Sequence, residues 1–140
     1  MLPLLLIAFA SVASARADPA PVRQAGEWQT VLTSSLAGAA KQEKKACYRA
    51  ESADQIFSNM PGCGTVAPVT IGSRTTVDAI CTRGTTVVTM HGEIEARGPE
   101  AFHSQMHATY APPVGNLSEM TVTGDSRWLG PCPAGEAPVD

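Results

Sequence analysis

The sequence predicts a mainly β protein: a curved antiparallel meander forming a half-open barrel, covered by one short α-helix and held by two disulfides. Three observations carry this. From Cys63 to Val122 apolar side chains recur with a period of two, between turn dipeptides at Gly72-Ser73, Arg83-Gly84 and Gly98-Pro99. Only Ser52 to Met60 carries convincing helix signals. Four cysteines follow a short apolar leader, and an even count in an exported chain of this size favours bridges over free thiols.

The elements follow in chain order. Met1 to Val12 is almost wholly apolar but too short to span a bilayer, and it runs into the small residues Ala13-Ser14-Ala15-Arg16-Ala17. Residues 1–17 therefore read as a signal peptide cut after Ala17, leaving 18–140 as a single β-rich domain with an ordered core of about 25–133. No second apolar run follows, so no membrane span is expected after cleavage, and the protein is placed in the periplasm or outside the cell. Gly26 to Thr33 alternates, with Trp28, Thr30 and Leu32 on one side, as a first strand does. Ser34 to Ala46 mixes small residues with Lys41, Glu43, Lys44 and Lys45 and reads as a loop. A short strand is expected around Cys47-Tyr48-Arg49.

Ser52-Ala53-Asp54-Gln55 is a capping box, and Ile56, Phe57 and Met60 form the buried stripe of the helix it starts. Pro61-Gly62 ends that helix by removing a donor and permitting a left-handed turn. Beyond it, Val77, Ala79 and Cys81 share one face. Val88, Met90, Gly92 and Ile94 share another, as do Phe102, Met106, Ala108 and Tyr110. After a loop from Ala111 to Asn116, a last strand turns Met120 and Val122 inward.

Four cysteines permit three pairings, of which the nested one is expected, Cys63 with Cys81 and Cys47 with Cys132. The inner pair flanks a single hairpin, and the outer pair ties the early chain to its end. A two-residue turn at Gly72-Ser73 would set Cys81 opposite Gly64. The inner bridge therefore requires a three-residue loop or one residue bulged near Pro68. A tetrahedral zinc site needs closely spaced cysteine pairs, and stretches of 15, 17 and 50 residues separate these four.

An early Gly26-Glu27-Trp28, Cys47 shortly before a capped helix, Cys63 and Cys81 straddling a hairpin, and Trp128-Leu129-Gly130-Pro131-Cys132-Pro133 together resemble the domain-of-unknown-function 3617 family. The resemblance implies an exported, mostly antiparallel β protein of Gram-negative bacteria with disulfides, and it brings no catalytic residues. Ser34 to Ala46 departs from the Met, Pro and Gly expected there in relatives.

Function classes narrow on charge and motif. A formal net charge of −3, with basic residues scattered, offers no stripe to neutralise phosphates, so nucleic acid is not an expected partner. No Gly-x-Ser-x-Gly elbow occurs. His103 and His107 would clasp a metal on a helix, but on the strand that the alternation favours they stand about 13 Å apart. Across a turn near Gly98-Pro99, His91, Glu93, His103 and His107 share a polar face, the candidates for a metal site or for cross-strand charge pairing. The leading expectation is a non-enzymatic protein without a cofactor. It would bind an envelope protein or a small apolar ligand on the sheet, in a pocket lined by Phe57, Val88, Met90, Ile94, Phe102 and Met106. The alternative is a metal-dependent enzyme or hydrolase using the polar His/Glu face.

Overall fold

The structure is a computed structural model and describes residues 18–139, apart from 37, 39, 59 and 65. The expected signal peptide, 1–17, lies outside the described residues. Strands β1 (Val22–Arg23) and β4 (Glu51–Ser52) form a small antiparallel ribbon that leads into helix α1 (Ala53–Ser58). The remaining strands build one antiparallel sheet in the order β3 (Lys41–Tyr48), β2 (Gly26–Ser34), β9 (Leu117–Gly130), β8 (Ala101–Val114), β7 (Thr86–Ala96), β6 (Arg74–Arg83) and β5 (Val69–Ile71). From β5 to β9 the chain is the expected meander. The first long strand, β2, then pairs with the last, and the sheet stays open between edges β3 and β5.

Period two sorts the sheet into two faces. The inner face, against which α1 packs, carries Thr75, Val77, Ala79 and Cys81 of β6 and Val88, Gly92 and Ile94 of β7, all buried. Phe57 of the helix reaches this floor because Gly92 has no side chain. A Cβ there would lie 2.9 Å from the Phe57 ring and 3.0 Å from Val77. Ala53, Phe57, Val77 and Ile94 make one core cluster. Ala79, Cys81, Val88 and Ala108 make a second, roofed by Met60, Cys63 and Val66 from the segment after the helix.

At the other end, Trp28 is fully buried opposite Trp128 and donates its indole N–H to the Gln24 carbonyl, 2.9 Å away. Gly26 adopts a left-handed φ of +142° directly beneath the Trp128 indole, where any side chain would collide. Here the early Gly-Glu-Trp and the late Trp-Leu-Gly-Pro-Cys meet, fastened by Cys47–Cys132. The inner bridge is Cys63–Cys81. Its register follows the second expected route. The hairpin pairs Ile71 with Arg74 through Val69 with Thr76, yet Cys63 rather than Gly64 lies opposite Cys81. One residue is therefore bulged out between Cys63 and Val69, the stretch containing Pro68.

Three expectations need correction. Lys41 to Ala46, expected in a loop, belongs to β3. Lys41 to Lys45 are exposed on both faces, so no apolar alternation was needed to form this strand, and its lysines discourage a second sheet from adding to the edge. The expected loop from Ala111 runs on as strand to Val114, with the turn at Gly115-Asn116 and a register break between Thr109 and Val114. The helix ends at Ser58, leaving Met60 beyond it. Among the described residues no helix is long and apolar enough to cross a membrane.

Candidate functional site

The inner face is covered only in part. Over β6 and β7 the helix and its following segment exclude water. Over β8, β9 and β2 the described residues give thinner cover, and Leu32, Met106, Met120 and Val122 are all half-buried. The result is an apolar trough. One hollow in it, about 380 Å³, is lined by Met60, Met90, Met106, Met120, Val88 and Tyr110, with Arg83 at the rim. A neighbouring hollow of about 270 Å³ shares Met106 and continues over Leu32, Ile56 and Val122.

Register explains how three of the methionines converge. Ala108 faces Met90 on one side and Met120 on the other, and Met106 lies two residues along the same strand. A small residue at the centre lets the long side chains around it close over the site, and Ala108 is accordingly 2% exposed. Met60 joins them from above. Methionine side chains are unbranched and polarisable, so such a lining adapts to the shape it meets.

The expected pocket residues divide between core and trough. Phe57, Val88 and Ile94 are buried at 6%, 3% and 8% exposure, whereas Met90, Phe102 and Met106 are half-exposed and accessible. The sequence reading missed Met60, Met120, Leu32, Val122 and Tyr110 as lining. Inward parity for the three strand residues Leu32, Met120 and Val122 was legible, but the β2–β9 pairing that brings Leu32 to the other two was not.

A third hollow, about 200 Å³, lies where the trough meets the β1–β4 ribbon and is lined in part by Arg23, Thr30, Ser104 and Ser126. Arg23 donates to Glu51 at 2.9 Å and lies 3.9 Å above the Tyr48 ring. Burial lowers its pKa, opposed by the negative charge of Glu51 and by Tyr48. Its Nε is buried without a hydrogen-bond partner.

The outer face carries the polar residues singled out from the sequence. His91 lies opposite His107, Glu93 opposite Gln105 and Glu95 opposite His103. Each histidine is nonetheless engaged by a different carboxylate: His91 by Asp78 at 2.7 Å, His103 by Asp125 at 2.8 Å and His107 by Glu119 at 3.5 Å. Glu93 and Glu95 both pair with Arg74. Among the described residues no three His, Cys, Asp or Glu side chains converge as metal ligands would. The arrangement is a ladder of exposed cross-strand pairs, each worth about 0–1 kcal/mol.

A family model described as a protein of unknown function (DUF3617) matches residues 23–132. No curated protein and no solved structure matches the chain.

Proposed function

The chain belongs to the DUF3617 family, and from that premise we propose that it is a periplasmic or secreted binding protein that holds a small apolar ligand in the methionine-lined trough. One observation carries the reading. The chain has five methionines, and the four after Met1 all line a single hollow. A volume of about 380 Å³ falls in the range of small-molecule sites. Two disulfides suit an oxidising compartment. A ligand in place would bury the apolar surface that the helix leaves open.

Titration with the neutral fluorophore phenylnaphthylamine, which brightens in apolar surroundings, tests this. The protein should enhance its fluorescence saturably, and Met106→Gln with Met120→Gln should weaken binding about tenfold or more while circular dichroism stays unchanged. Absence of saturable enhancement, or equal binding by the double variant, would reject the trough as the site.

A further inference from the structure

The polar groups at the two ends of the trough differ in what they have left to offer. At the β1–β4 end the charge of Arg23 is already engaged, by Glu51 and by the Tyr48 ring. At the β6–β7 turn, Arg83 stands exposed on the rim of the methionine hollow, and among the described residues no ion pair or hydrogen bond engages its side chain. Among the described residues it is the only charged one lining that hollow. Among the described residues Tyr110 is the one hydroxyl there, half-buried beside Val88, and no hydrogen bond among them uses it. An apolar hollow thus carries at its rim one positive charge with no partner among the described residues, and one phenol.

We propose that the ligand is a long-chain carboxylate, its tail lying along Met90, Met106 and Met120 and its head group accepting hydrogen bonds from Arg83 and Tyr110. The proposal rests on the trough being the binding site. Charge complementarity selects the head. A single guanidinium balances a monoanion, and its fork matches the two oxygens of a carboxylate. Volume selects the tail: at ~30 Å³ for each water-sized group, 380 Å³ takes about a dozen methylenes.

The test displaces bound phenylnaphthylamine from the protein, purified after export of the full chain, with three amphiphiles of equal tail length: laurate, its neutral monoglyceride and dodecyltrimethylammonium. Laurate should displace the fluorophore at about fivefold lower concentration than the monoglyceride, the gain expected of a partly exposed ion pair, and the cation should be weakest. The advantage of laurate should shrink as salt is raised. Arg83→Gln should abolish it, read as the ratio of the laurate to the monoglyceride concentration needed for displacement, and Arg83→Glu should favour the cation.

If laurate and the monoglyceride displace equally, or Arg83→Gln keeps the preference, the head-group assignment is wrong while the trough remains a site. If the fluorophore itself does not bind, both readings fall. A dimer in solution that Met106→Gln dissociates would also overturn the proposal, by filling the trough with a second copy.

Discussion

The inner faces of β6–β7 and of β9–β2 obey the same alternation and end in different states. On β6 and β7 the inward side chains are mostly small or branched, among them Thr75, Val77, Ala79 and Val88, with Gly92 giving way to Phe57. These let a six-residue helix and the loop after it settle onto the sheet. On β9 and β2, Met120, Val122 and Leu32 stand half-exposed, and the described residues cover them only in part. The difference teaches that alternation fixes which way a side chain points but not whether anything lies above it. Cover depends on the tertiary path of another segment, here the described residues between Ala53 and Val66 together with Ala20.

The largest effect should come from truncating one side chain on each side of this divide. Phe57→Ala, deep in the covered half, should cost about 4 kcal/mol through lost burial and the cavity left behind. Met106→Ala, in the trough, should cost roughly 1 kcal/mol, because much of its surface already meets water. Urea midpoints at constant m-value compare the two. Equal losses would break the comparison, showing that the trough packs as a core in solution.

A second, smaller effect concerns the bridge that holds the roof in place. Cys63–Cys81 closes a separation of 18 residues, and replacing both by serine should lose about 3 kcal/mol in the chain-entropy model. Met60 and Cys63 also wall the methionine hollow, so the same variant should bind phenylnaphthylamine more weakly. Retained affinity would sharpen the comparison by assigning the trough to the sheet alone.

Much of this was legible in the sequence because the meander obeys a local rule. Strands β6 to β9, their inward residues, the placing of the capped helix and both cysteine pairs follow from period two, turn dipeptides and cysteine arithmetic. What escaped detection depended on distance along the chain. Nothing local marks Leu32 as a neighbour of Gly124, and β3 has no apolar stripe to read because its first five residues are exposed. The candidate site was half visible for the same reason. Met90, Met106 and Met120 lie in the meander, whereas Leu32 joins the trough only once the last strand pairs with the first.

The smallest expected effect concerns how the cover begins. The capping box leads one to expect that the Ser52 hydroxyl binds a first-turn backbone N–H, so that Ser52→Ala alone would cost about 1 kcal/mol. In the structure the Gln55 side-chain carbonyl accepts from both the Ser52 backbone N–H and the Ser52 hydroxyl, each at 2.9 Å. Gln55 is therefore the capping partner, and the serine hydroxyl only helps to orient it. Gln55→Ala should cost about 0.5–1 kcal/mol, because the orphaned N–H is exposed and water replaces part of what is lost. Ser52→Ala should cost less, a few tenths, and the double variant no more than Gln55→Ala alone, since both act through one acceptor. Denaturant midpoints of the three proteins decide between the two arrangements. A larger loss for Ser52→Ala, or additive losses, would mean that the hydroxyl caps the helix directly and that α1 is anchored from its own first turn.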